Sequence, residues 1–126
     1  MQLARTFSRI ERSLSATLAE KELTMAQFDV LATLRYSEGP SQKELAELLL
    51  VTKGNVVGLL AQLEELNYVE RRPDAKDGRS NRVHLTEQGR RKIDVHDRLV
   101  LRTLDCLPQQ EVGTLRRLLQ TLEQAL

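Results

Sequence analysis

The sequence predicts a mainly α-helical chain with one small β-hairpin, and three observations carry that prediction. Leucine is abundant while aromatic residues make up only 3% of the chain, a mix that favours helices packed on helices. Over most of the length apolar residues recur at spacings of three and four, the helical period. Only Val69–Arg72 and Arg82–Leu85 alternate instead, the mark of half-buried strands. With 126 residues, 40% apolar and 29% charged, the chain suits one globular domain with a modest core.

Leu3, Phe7, Ile10, Leu14 and Leu18 form the stripe of a first helix. Thr24 opens a second, and Gln27, three residues on, completes a capping box in which each side chain serves the other's free backbone N–H. Phe28, Leu31 and Leu34 give this helix its apolar face, and Gly39-Pro40 ends it. Ser41 and Glu44 repeat the capping box ahead of a short third helix with Leu45, Leu48 and Leu49 on its inner face. A break at Leu50-Val51 precedes Thr52, a good N-cap. The fourth helix is expected over Val51–Leu66. Val56, Leu59 or Leu60, Leu63 and Leu66 run down one side, and Lys53, Asn55, Val57, Gly58 and Gln62 are left on the other. Two short helices with a three-residue join make a helix-turn-helix pattern.

Between the two strands, Pro73–Asn81 is a charged hairpin tip with Asp77-Gly78 as its turn signal. Val83 and Leu85 should face the core, Arg82 and His84 the solvent. Helix, helix and hairpin together outline a winged helix-turn-helix. Thr86 caps a fifth helix carrying Ile93, Leu99, Val100 and Leu104, which Gly89 weakens slightly. Pro108 suits the first turn of a last helix, striped by Val112, Leu115, Leu118, Leu119 and Leu122. Long apolar stripes at both ends are hard to bury within so small a chain. Residues 1–20 and 93–126 are therefore expected to form a dimer interface through Leu3, Phe7, Ile10, Leu115, Leu118, Leu119 and Leu122. Residues 21–92 are left as the winged part of a single domain spanning 1–126.

Net charge is only +1, but residues 71–92 hold eight Lys/Arg against three Asp/Glu. A local basic patch on a near-neutral chain is the footprint of a small DNA-contacting surface; a solvated basic face is the plainer reading. The longest uncharged runs are too short to span a bilayer, and no N-terminal stretch joins a basic start to an apolar core, so neither a membrane span nor a signal peptide is expected. A single cysteine, Cys106, excludes an intrachain disulfide and fits a reducing cytoplasm.

Catalysis finds little support. The only histidines are His84 and His96, and there is no phosphate-binding glycine loop, HExxH or Gly-x-Ser-x-Gly. His96 and Cys106 do not share one helical face cleanly, so no metal and no cofactor is expected. His96 reads as a helix-surface or interface histidine. Cys106, between Asp105 and Leu107-Pro108, reads as a small buried apolar residue in preference to a redox sensor.

The hairpin region resembles the MarR family of bacterial transcriptional regulators. The matching stretches are Leu63-Glu64-Glu65-Leu66-Asn67-Tyr68-Val69-Glu70-Arg71, Asp74-Ala75-Lys76-Asp77-Gly78-Arg79-Ser80 and Val83-His84-Leu85-Thr86-Glu87-Gln88-Gly89. Upstream, Leu23–Leu31 and Ser41–Ala46 are similar to that family's second and third helices. The resemblance is close over residues 20–92 and rests on length and pattern at the termini. It implies a homodimeric winged-helix repressor or activator acting on double-stranded DNA. It also implies a response, in many members, to a small aromatic or anionic effector, and in some to oxidants.

Carried onto this chain, the resemblance sends the fourth helix into the major groove, N-terminus first. Lys53 and Asn55 can then reach base edges or phosphates, and Val57 a thymine methyl. Gln62 shares their face. Gly58 departs from the family, which often has a long polar or basic side chain there, and leaves room for a close backbone approach. Ser41 and Thr52 stand at helix N-termini, where free N–H groups suit phosphates. Arg79 matches the wing arginine that enters the minor groove. Asp77 is placed to brace Arg79 or the turn, unless it is an ordinary Asp-Gly turn residue. A winged-helix scaffold for protein interaction, without DNA binding, is the alternative from another class.

Overall fold

Each expected cap is in place, and the caps set where the helices begin. A computed structural model of the chain describes residues 1–37 and 39–126, the side chains of Leu99, Val100 and Thr103 excepted. The order is α1 (Gln2–Glu20), α2 (Met25–Arg35), α3 (Gln42–Leu49), α4 (Lys53–Glu65), β1 (Val69–Pro73), β2 (Asn81–Leu85), α5 (Glu87–Leu101), a 3-10 turn (Arg102–Leu104) and α6 (Gln109–Ala125). Thr24 Oγ1 accepts the Gln27 N–H at 3.1 Å while Gln27 Oε1 accepts the Thr24 N–H at 3.0 Å. Ser41 and Glu44 exchange the same pair of bonds at 3.1 and 2.8 Å. Thr52 Oγ1 accepts the Asn55 N–H at 3.3 Å, so α4 starts at Lys53 and not at the expected Val51.

Residues Met1–His96 form one compact unit, and Asp97–Leu126 another. In the first, α2 packs against α1, α3, α4 and β2. Val30, Leu31, Leu45, Val56, Leu60, Leu63, Val83 and Ile93 are wholly shielded from water. The open choice on α4 falls to Leu60; Leu59 is half-buried. Two expected core residues are exposed instead. Leu66 is the C-cap of α4, past its last buried turn. Leu48 is 59% exposed: Leu45, Ala46 and Leu49 centre the inner face of α3 about 100° from it at 3.6 residues per turn. Helix α3 closes on Leu50, whose left-handed φ of 55° and 92% exposure make it the unusual residue of the turn into α4.

The hairpin is antiparallel, with Val69 opposite Leu85, Arg71 opposite Val83 and Pro73 opposite Asn81. Both strands run one residue further into the wing than alternation indicates. Val83 is buried as expected, but Leu85 and His84 are both half-buried. The His84 ring lies on Gly39, where a Cβ would meet it at 2.4 Å and where φ is +58°. Gly39 is thus a contact point for β2; α2 already ends at Arg35.

Two further expectations on α5 change. Gly89 does not merely weaken the helix: a Cβ there would stand 1.9 Å from the Tyr68 carbonyl oxygen, so its bareness lets α5 approach β1. His96 is not on the surface. It is 1% exposed and, with Gly89 and Ile93, follows the i, i+4, i+7 spacing of one inner face. Its Nδ1 lies 2.7 Å from the Lys92 carbonyl and therefore carries the proton; Nε2 has no partner among the described residues. Leu99 and Val100, expected on the same helix, lie outside the described side chains.

On α1 only Leu14 and Leu18 are buried; Leu3, Phe7 and Ile10 lie open. In the second unit α6 buries none of its residues, and Leu118, Leu119 and Leu122 are exposed while Leu115 is half-covered. Cys106 is exposed in the turn before α6, which corrects its reading as a buried apolar residue. No helix among the described residues is long and apolar enough to cross a membrane.

Candidate nucleic-acid interface

The starts of α3 and α4 and the tip of the hairpin meet around a cleft of about 460 Å³. Ser41, Gln42 and Lys43 come from the first turn of α3, Lys53 and Val57 from α4, and Asp77, Arg79, Ser80 and Asn81 from the wing. Of the residues singled out from the sequence, Ser41, Lys53, Val57, Asp77 and Arg79 line this cleft; Thr52, Asn55, Gly58 and Gln62 do not. Asn55 and Gly58 remain exposed on α4, whose first two turns bury only Val56. A Cβ at Gly58 would meet nothing within 4 Å, so that position has room for a side chain. Gln62 lies near the far end of α4, where its Oε1 accepts a hydrogen bond from Gln27 Nε2 at 3.2 Å and ties α4 to α2.

Half of the eight cations at 71–92 are paired with acids within the fold. Arg71 forks onto Glu64, Arg72 pairs with Glu70, Arg82 with Asp74 and Glu44, and Arg91 with Glu87. Lys92 sits over the Tyr68 ring, 5.7 Å from its centroid. Lys43, Lys53 and Arg79 have no ion-pair partner among the described residues. Three uncompensated cations from three elements are thus gathered at the cleft, while Lys76 and Arg90, also without an ion-pair partner among the described residues, lie off its lining. Asp77 is the one acid among the described residues of its lining, and its Oδ1 accepts the backbone N–H of Arg79 at 3.1 Å. With the Ser80 N–H donating to the Asp77 carbonyl at 3.0 Å, Asp77 braces the turn and leaves the Arg79 guanidinium unengaged by it.

Backbone donors add to this charge. In α3 the Ser41 and Glu44 N–H groups are taken by the capping box, so Ser41 does not offer its own amide to a phosphate. Helix geometry leaves the amides of Gln42 and Lys43 without intrahelical acceptors. On α4 no acid stands in the first turn, so the positive end of its dipole is unopposed. Gln42, Lys43, Ser80 and Asn81 were missed from the sequence. The capping box at Ser41 already placed Gln42 and Lys43 at the first two helical positions, which is the signal that could have found them. Among the described residues no group of three His, Cys, Asp or Glu could hold a metal ion.

The MarR family model matches residues 21–80, the segment that builds this cleft. An uncharacterised HTH-type transcriptional regulator of Bacillus cereus is 34% identical over 94 residues, which cover 75% of this chain and 62% of that protein. The chain thus spans under two thirds of that relative's length. The repressor CouR bound to a 23-mer DNA duplex superposes with a TM-score of 0.83 at 29% identity, covering 97% of this chain and 89% of its own. CouR from Rhodococcus jostii has also been solved with p-coumaroyl-CoA, at a TM-score of 0.81 and 27% identity, covering 96% and 88%. A cysteine-to-serine variant of MarR from E. coli complexed with operator DNA matches with a TM-score of 0.78 at 29% identity, covering 96% and 90%. The family match, the similar regulators and the shared fold agree, and none of them points to an enzyme: the chain belongs to the MarR family of winged helix-turn-helix transcriptional regulators.

Proposed function

We propose that this chain is a cytoplasmic DNA-binding repressor that acts as a homodimer on a pseudo-palindromic operator and is released by a small aromatic or anionic effector. The observation that carries the DNA reading is the gathering of three unpaired cations, Lys43, Lys53 and Arg79, with free helix N-terminal amides around one cleft. Phosphates at the two edges of a major groove satisfy both kinds of donor. In that arrangement α4 enters the groove, with Lys53, Asn55 and Val57 toward the base edges, and Arg79 reaches the neighbouring minor groove. The exposed apolar faces of α1 and α6 support a second copy as the partner that covers them. Within a single domain, residues 21–92 read DNA, while 1–20 and 93–126 hold the dimer. The ligand-bound form of CouR supports an effector of the aromatic, anionic kind.

Two recognition helices related by a two-fold axis read inverted half-sites about 10–10.5 base pairs apart. Selection from a random duplex library should return an imperfect palindrome of that spacing. Asn55→Ala should relax one symmetric pair of positions by ~1–3 kcal/mol with non-specific binding nearly unchanged. No retention of any duplex at low salt would instead favour a protein-interaction scaffold.

A further inference from the structure

Arg82 lies outside the cleft, yet its guanidinium joins both of the cleft's walls. Nε donates to Asp74 Oδ2 at 2.9 Å, where the chain leaves β1 for the wing loop. Nη1 donates to Glu44 Oε2 at 2.8 Å, in the first turn of α3, and lies 3.4 Å from the Gly39 carbonyl oxygen. Both carboxylates are fixed before Arg82 reaches them. Asp74 Oδ1 accepts the Lys76 N–H at 2.9 Å, and the Asp74 N–H closes the wing base on the Ser80 carbonyl at 2.8 Å. Glu44 Oε2 also accepts the Ser41 N–H as half of the capping box. The backbone follows the same line: the Val83 N–H donates to the Pro40 carbonyl at 2.9 Å, and Arg82 bridges Ser41.

An isolated surface ion pair contributes little, because two long side chains must be ordered to form it. Here the acids are already ordered by backbone donors. A planar guanidinium presents several donors in a rigid fork and can hold both at once, which a lysine ammonium cannot do with the same geometry. We propose that Arg82 is a positioning residue: it contacts no DNA itself and fixes the wing tip relative to the N-terminus of α3. Arg79 on one wall and Lys43 on the other thereby meet the duplex together. This rests on the DNA-binding reading above.

Arg82→Gln should lower affinity for the selected operator roughly tenfold, with far-UV circular dichroism and Tm close to those of the unmodified protein. Arg82→Lys keeps the charge and loses the fork, so it should resemble Arg82→Gln; full affinity in the lysine variant overturns the proposal in favour of simple charge neutralisation. In an Arg79→Ala background the Arg82→Gln loss should nearly vanish, because a wing without its arginine gains nothing from being aimed. Equal losses in both backgrounds mean a general structural role and overturn the proposal. A readout without DNA separates this idea from the reading it rests on. Amide exchange at Asp74 and Ser80 should accelerate in Arg82→Gln while that of Leu60 and Leu63 does not. Unchanged exchange at the wing overturns the positioning role even if DNA binds. Failure of the unmodified protein to bind any duplex overturns the DNA reading and this proposal together.

Discussion

The bare Cα of Gly89 faces the Tyr68 carbonyl so closely that a methyl group there would stand 1.9 Å from the oxygen. That oxygen already accepts the Thr86 N–H at 3.0 Å, and Thr86 Oγ1 donates to the Asn67 carbonyl at 2.6 Å, so the turn leading into β1 and the cap of α5 are laced together beside the contact. Alanine is the better helix former by ~1 kcal/mol, and it should nevertheless destabilise here. Gly89→Ala is expected to cost about 1–3 kcal/mol or more, because backbone and not a flexible side chain must give way. Urea unfolding of the two proteins measures the difference; equal or higher stability in the alanine variant would show that α5 can shift freely.

The wing should report itself through salt. Arg79→Ala is expected to weaken duplex binding and to lower the log–log salt slope by roughly 0.9 for each phosphate neutralisation lost. Titrations at several salt concentrations give the slope. Values matching the unmodified protein for both slope and affinity would place the wing off the DNA.

Leu119 is open to solvent on α6. If a second copy covers it, Leu119→Glu buries an unpaired charge and should cost several kcal/mol of association, about 3–5 by analogy with a broken buried pair. Sedimentation at micromolar concentration should give a dimer mass for the unmodified chain and a monomer mass for the variant. A monomer mass for the unmodified chain would sink the homodimer.

Acid should loosen the winged part. The fork from Arg71 holds the Glu64 carboxyl below its ordinary range. Glu44 is held low chiefly by the Ser41 N–H, and Asp74 chiefly by the Lys76 N–H. Each is easier to ionise folded than unfolded. Its contribution is therefore complete above the ordinary carboxylate range and is lost as pH falls through the lowered folded value. Asp29 runs the other way: burial raises its pKa, so its contribution favours folding when protonated and fades as pH rises through the raised value. Glu64→Gln should cost up to about 1 kcal/mol near neutrality and almost nothing once carboxylates are protonated. A cost that stays constant across that range would remove Arg71–Glu64 from the account of acid sensitivity.

What could be read from the sequence was whatever is settled by residues within one turn of each other. The boxes Thr24/Gln27 and Ser41/Glu44 and the cap at Thr52 all have that reach and stand where the pattern put them, whereas of the alternation in β2 only the burial of Val83 holds. What escaped was settled between distant segments. Gly89 meets Tyr68 and Gly39 meets His84 across the fold, and neither glycine carries a local sign of its partner. His96 took an inner position that periodicity alone would give to an apolar residue. At the cleft, Lys53 and Arg79 were legible as cations, but that Arg71, Arg72 and Arg82 are spent on internal acids was not, since each pairing depends on folded geometry.

The left-handed turn at Leu50 leaves the protein room for improvement at the hinge that aims α4. A leucine held at positive φ stores roughly 1–2 kcal/mol of steric cost that packing does not repay, since the side chain stands almost wholly in water. Glycine would relieve that cost and lose part of the gain to a freer unfolded chain. Asparagine, which tolerates the same backbone region, is the better replacement, and it would also remove a bare hydrocarbon surface from the rim of the helix-turn-helix. An engineer seeking a hardier or more soluble form of this regulator has a starting point there that leaves both flanking helices intact.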